Sequence, residues 1–132
     1  MPPKPEYILL AEDDPDDQLT FTEAFNKRYP DVNVVCVDDG DQLLDYLHSC
    51  ITLPALILMD YKMPIVTAPV VLQRLASNGR FAKIAKMVWS SSIRSDHKDE
   101  CVSLGALSYM PKPNDSSELD QLIDKIAVTI AL

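Results

Sequence analysis

ILLAEDDPDD, residues 8–17, is the stretch on which the fold turns. An apolar tetrad runs straight into five acids broken by one proline. A short apolar run with no polar alternation marks a strand covered on both faces, as in a parallel sheet flanked by helices. The acids need a separate explanation, because Glu12, Asp13, Asp14, Asp16 and Asp17 repel one another at such spacing. They are either a solvated loop and helix start, or a place where something positive sits.

Working outward, the same pattern recurs along the chain. YILLA (7–11) is followed by a stretch with Leu19, Phe21, Ala24 and Phe25 at near-helical spacing, ending before Tyr29-Pro30. Pro15 suits its first turn, and Asp14 or Asp13 can cap it. The β-branched run at 32–37 is a second strand, and residues 38–49 form a short helix with Asp38 or Asp39 near its start. ALILM (55–59) is a third buried strand, stopping at Asp60, and 69–77 a helix opened by Pro69 and closed by Asn78-Gly79. A fourth strand covers 84–89 and ends in Ser90-Ser91-Ser92. A helix at 95–105 has a glycine stop, and a short fifth strand spans 106–110. Residues 115–131 form a last helix with Leu119, Leu122, Ile123, Ile126 and Ile130 in register, opened by the capping-type group Asp115-Ser116-Ser117-Glu118. Strands alternating with amphipathic helices give a doubly wound α/β domain with a parallel five-stranded sheet. Right-handed crossovers leave only a few strand orders. One domain over 7–132 is expected, preceded by a disordered Pro-rich tail at 1–6.

Composition narrows the function. A chain of 132 residues, 47% hydrophobic, can bury roughly two thirds of its unfolded surface and needs no staple. The net charge of −8 argues against nucleic acid or an anionic membrane as partner and suits cations or basic proteins. Three widely spaced cysteines without a C-x-x-C suit a reduced compartment and small buried or half-exposed packing roles. The start MPPKPEY has no apolar core of a signal peptide, and no apolar run reaches membrane-spanning length. Cytoplasm is the expectation.

In a doubly wound sheet, ligands bind outside the carboxyl ends of the strands. The polar residues found there are Glu12 and Asp13 after the first strand, Asp60 after the third, Ser90 after the fourth and Lys112 after the fifth. Three carboxylates together need a counter-charge, and oxygen-rich sites favour a hard cation such as Mg2+. Asp14, Asp16 and Asp17 are expected to face solvent or to aid the first helix through its dipole. A carboxylate can also be a nucleophile that forms an aspartyl phosphate, and Asp60, alone at the end of the central strand, is the best candidate. Ser90 and Lys112 can then neutralise phosphoryl oxygens.

With these residues in place, the chain resembles the receiver domain of two-component response regulators over roughly residues 7–130. The motifs that carry the resemblance are ILLAEDD, LILMDYKMP, MVWSSS and YMPKP. It implies a flavodoxin-like sheet of strand order 2-1-3-4-5. It implies Asp60 as phosphoacceptor, Ser90 as switch hydroxyl, Lys112 as phosphate contact and Tyr109 as the aromatic that turns inward. Mg2+ would be held by Glu12, Asp13, Asp60 and the backbone carbonyl of Lys62. A sensor histidine kinase or histidine phosphotransfer protein would supply the phosphoryl group. The face of the fourth helix, fifth strand and fifth helix would then be remodelled for a downstream protein, or for a second copy, since receivers often pair there. The protein would be a single-domain switch, not an enzyme with turnover. The family usually has a cis bond at Lys112-Pro113 and a glycine where Ala68 stands. Lys62, a cation on a flexible stem, would alter the lifetime of the acyl phosphate.

Other readings stay in view. An aspartyl-nucleophile phosphatase of the haloacid-dehalogenase kind would want an Asp-x-Asp pair, and here Glu12 and Asp13 are adjacent. A phosphate-independent module would want a degenerate site, and all five positions keep usable chemistry. His48 and His97 are expected on the surface. Trp89 is expected to pack, while still reporting metal or phosphate by its fluorescence.

Overall fold

In the computed structural model, which describes residues 7–132, five strands alternate with five helices. They are β1 (Tyr7–Ala11), α1 (Pro15–Arg28), β2 (Asn33–Val37), α2 (Gly40–Ser49), β3 (Leu56–Asp60), α3 (Ala68–Ala76), β4 (Ala85–Ser90), α4 (Ser95–Ser103), β5 (Ser108–Pro111) and α5 (Ser116–Thr129). The tail expected at residues 1–6 lies outside the described residues. All pairings are parallel, and the sheet order is β2-β1-β3-β4-β5. This is the flavodoxin-like order anticipated above.

Period-2 alternation inside the apolar strands builds two cores. Ile8 and Leu10 of β1 face one side with Phe21 and Phe25 of α1 and Leu119, Leu122, Ile123 and Ile126 of α5. Leu9 and Ala11 face the other, with Leu43 and Leu47 of α2 and Val71, Leu72 and Leu75 of α3. Because each face is covered, β1 and β3 read as unbroken apolar runs, and all five residues of each are buried. β2 lies at an edge and is mostly half-exposed, so Cys36 is exposed rather than packed. Cys50 is half-buried, Cys101 is buried, and all three are free.

Local signals set the boundaries. Asp14 caps α1 through the Asp16 and Asp17 N–H groups, and Asp39 caps α2 through Gln42. At α5, Asp115 accepts from the Glu118 N–H at 2.8 Å, while Glu118 accepts from the Asn114 N–H at 3.0 Å. α4 ends two residues earlier than its glycine suggested. Leu104 is its C-cap, and Gly105 has φ +107°. Gly105 and Ala106 return N–H bonds to Val102 and Cys101, a Schellman closure that delays β5 to Ser108. Pairing extends β3 and β4 by one residue each, so Asp60 and Ser90 are the last residues of their strands rather than the first of their loops.

Two further features shape the site's edge. At Gly40 an added Cβ would meet the Val66 carbonyl oxygen at 2.7 Å, so the start of α2 packs hard on the β3–α3 loop. In that loop Ile65, exposed, has φ +72°, a left-handed conformation that strains a β-branched residue. Every peptide bond among the described residues is trans, Lys112-Pro113 included, against the expected cis bond. Trans is the lower-energy form of an X–Pro bond. No helix among them is long and apolar enough to cross a membrane.

Candidate functional site

The carboxyl edge of the sheet brings the expected residues together. Glu12, Asp13, Asp60, Lys62, Ser90 and Lys112 line one cavity of about 280 Å3, along with Asp14, Ser91 and Ser92. Carboxylate oxygens of Glu12, Asp13 and Asp60 lie within 4.8 Å of one another. Glu12 is fully buried, Asp60 is 7% exposed and Asp13 is exposed.

Lys112 sits at the centre of this charge. Its Nζ is 2.7 Å from Glu12 Oε1, 2.9 Å from Asp17 Oδ2 and 3.1 Å from Asp60 Oδ2. The backbone N–H of Lys112 donates to the Ser90 carbonyl at 2.8 Å, which ties the end of β5 to β4. On the other oxygen, Asp60 Oδ1 accepts from the Lys62 N–H at 3.3 Å. Glu12 Oε2 accepts from the Asp14 N–H at 3.0 Å. Glu12 Oε1 is buried and accepts no aligned hydrogen bond; only the ammonium, as an ion pair, stands against it.

These surroundings shift the titrations. Burial pushes Glu12 up to about 7, against the pull of Lys112 and the Asp14 N–H. Burial also raises Asp60, again opposed by Lys112. For Lys112 burial acts downward, but its pairing with Glu12 and Asp17 and the charge of Asp60 outweigh it and hold the amine above its usual range. The ammonium therefore stays charged while Glu12 and Asp60 resist ionisation, as expected for carboxylates taken out of water.

A divalent cation fits this donor set. Three hard oxygens converge, two of the three acids are shielded from water, and one buried carboxylate oxygen lacks a hydrogen bond. Glu12, Asp13 and Asp60 could hold such an ion, with Lys62 lining the same cavity.

Ser90 and Tyr109 meet at one atom. Ser90 Oγ donates to the Ser92 carbonyl at 2.9 Å and accepts from the Ser92 N–H at 3.2 Å. The Tyr109 hydroxyl donates to the same carbonyl at 3.3 Å, and its ring is buried.

Three residues show features that the sequence did not reveal. Asp17, expected in solvent or serving the helix dipole, lies in the first turn of α1 and also pairs with Lys112. Its position in the first turn of α1 turns it back over the sheet edge, which spacing within one helix does not reveal. His97, expected on the surface, stacks on Tyr61 with centroids 4.0 Å apart. The Tyr61 hydroxyl donates to Glu100, and its ring meets Tyr109 edge-on at 5.9 Å, so the residue after Asp60 joins α4 to β5. Trp89 packs as expected against Phe21, yet its indole N–H is buried without an acceptor.

Fold and edge together define a doubly wound α/β domain with an acidic, oxygen-rich site closed by one lysine. The family model for the response regulator receiver domain matches residues 8–124. The chain belongs to that family, the receiver domains of two-component signalling. A probable methanogenesis regulatory protein, FilR2 of Methanothrix harundinacea, is 27% identical, the match covering 92% of this chain and 81% of that protein. The rice (Oryza sativa subsp. japonica) two-component response regulator ORR5 is 25% identical over 91% and 87% of the two chains. The phosphorylated cyanobacterial phytochrome response regulator RcpA is similar in structure, with a TM-score of 0.86, 27% identity and coverage of 96% and 94%.

Proposed function

We propose that this receiver domain accepts a phosphoryl group on Asp60 from a histidine kinase or a histidine phosphotransfer protein. The observation that carries this is the setting of Asp60. It ends the central strand, nearly buried, with one oxygen 3.1 Å from Lys112 and the carboxylates of Glu12 and Asp13 close by. RcpA, a similar protein, is known in a phosphorylated form.

In this reading an Asp60 oxygen forms a bond to phosphorus as the phosphorus–nitrogen bond of the donor phosphohistidine breaks, and the imidazole leaves with the electron pair. Bound Mg2+ would supply charge neutralisation for the phosphoryl oxygens. Glu12, Asp13, Asp60 and the Lys62 carbonyl are its proposed ligands. Lys112 offers ammonium N–H groups to a phosphoryl oxygen. Ser90 is the switch hydroxyl. To reach the phosphoryl group it must leave the Ser92 carbonyl, which Tyr109 continues to satisfy. The site turns over only its own phosphate.

The response passes to α4, β5 and α5. Cys101 is the only buried residue within α4, so little apolar packing fixes that helix against movement. Val102 and Leu107, both exposed, lie on and just after it and offer apolar area to a protein partner. The net charge of −8 keeps nucleic acid and membrane out of the list of partners. Cytoplasm is the compartment this function needs.

Intact mass after treatment with Mg2+ and acetyl phosphate tests the reading. One added phosphoryl group in the wild type and none in Asp60→Asn is expected. No mass gain and no Trp89 fluorescence response to beryllofluoride, in folded protein, would instead mean a phosphate-independent module.

A further inference from the structure

We infer that Asp17 is a positioning residue of the phosphoacceptor site, holding the Lys112 ammonium from outside the acidic cavity. The inference rests on the reading of Asp60 given above. An ammonium has three N–H donors. Lys112 has three carboxylate oxygens around it at 2.7, 2.9 and 3.1 Å, each from a different residue. Asp17 and Asp60 each accept a hydrogen bond from it, and Glu12 stands against it as an ion pair, so all three compete with a phosphoryl oxygen for the ammonium.

The three partners are not equivalent. Glu12 and Asp60 line the acidic cavity, and Asp17 does not. Asp17 lines a second cavity of about 240 Å3 between α1 and α5, with Phe21, Trp89 and Pro113. Lys112 lines both, so the Asp17 and Asp60 contacts hold it at the boundary of the two cavities. The Asp17 side chain is also 37% exposed, against 0% for Glu12 and 10% for Asp60. It is the partner that water can replace at least cost.

Two consequences run in opposite directions. A divalent cation among Glu12, Asp13 and Asp60 repels the ammonium 2.7 Å from Glu12, and Asp17 gives it a carboxylate to remain on. Asp17 therefore favours cation binding. A phosphoryl group on Asp60 competes with Asp17 for the Lys112 ammonium, and Asp17 adds negative charge against an anionic donor. Asp17 therefore opposes phosphoryl binding.

The test compares wild type, Asp17→Asn and Asp17→Glu as the full chain. Mg2+ affinity and beryllofluoride affinity are read by Trp89 fluorescence, and melting is followed alongside. In Asp17→Asn, Mg2+ should bind about threefold more weakly and beryllofluoride, at saturating Mg2+, about threefold more tightly, the size of a partly exposed ion pair. Asp17→Glu should return both toward wild type. Unchanged affinities in Asp17→Asn would overturn the inference. So would both affinities falling together with the melting temperature, or Asp17→Glu matching Asp17→Asn. A wild type that gains no phosphoryl group on Asp60 would instead remove the reading beneath it, a result visible without either variant.

Discussion

The Lys112 ammonium lies 2.7 Å from Glu12 Oε1, a carboxylate oxygen wholly removed from water. A cation coordinated by Glu12 would have to part this pair. Desolvation outweighs the pairing, since Glu12 is pushed up to about 7 from 4.5.

The sign of the pH dependence follows. Between pH 4.5 and about 7 the folded chain keeps a proton on Glu12 that the unfolded chain has lost. Metal-free protein should therefore be most favoured by this group below pH 4.5 and lose that stability as pH rises through about 7. Urea melts from pH 5 to 8 in chelator should show the decline, and Glu12→Gln should flatten it. Mg2+ at about 100 times its dissociation constant should add ~2.7 kcal/mol at pH 8 in the wild type. Glu12→Gln should lose most of that gain. A decline identical in both proteins would assign it elsewhere.

Lys112 also stands over the Trp89 ring, its Nζ 5.5 Å from the centroid. Any ligand that moves the ammonium changes the field on the one tryptophan of the chain. Mg2+ and then beryllofluoride should each give a saturable change in Trp89 emission. In Lys112→Met both changes should shrink to less than about half. Undiminished changes in that variant would show that the signal comes from some other motion.

Much of this arrangement was legible in the sequence because parallel sheets advertise themselves. Runs such as residues 7–11 and 55–59 are apolar without alternation only when both faces are covered, and the first polar residue after each run marks the functional edge. Asp60, Ser90 and Lys112 follow from that rule alone. Asp17 does not, because its partner lies 95 positions away and only the tertiary crossing of α1 over the sheet edge joins them. The Tyr61–His97 stack was hidden for the same reason. α4, whose sequence SDHKDECVS buries only Cys101, carries almost no apolar periodicity from which its packing could be read. Edge strand β2 was visible from β-branching, but its exposure depends on its place in the sheet order, which no local pattern records.

Lys62 is exposed and lines the acidic cavity, two residues beyond Asp60. Its ammonium can pair with a phosphoryl oxygen or exclude the hydrolytic water. Asp60 phosphate should then decay at a different rate in Lys62→Ala, by about two- to fivefold, the scale of one exposed charge. Loss of the phosphorylated mass after donor removal measures this directly. Equal rates would show that the Lys62 side chain has no part in that lifetime.

At the opposite end of β4, Lys86 is 4% exposed, and its ammonium donates to the Ala82 carbonyl at 2.9 Å. No carboxylate is paired with it among the described residues, and burial lowers its titration below the ordinary lysine range. A buried charge with one hydrogen bond is a cost to the fold that an apolar side chain of the same length avoids. Lys86→Met should therefore raise stability near neutral pH by about 1 kcal/mol, or ~4 °C in melting temperature. The pH dependence separates this from simple packing. Between the lowered value in the folded chain and the ordinary value in the unfolded one, the unfolded chain holds a proton that the folded chain has lost. Wild-type stability should rise with pH across that window, so the advantage of Lys86→Met should be largest at lower pH and shrink on the alkaline side. A destabilised variant, or an advantage that stays constant from pH 6 to 10, would mean that the Ala82 hydrogen bond outweighs the desolvation of the amine.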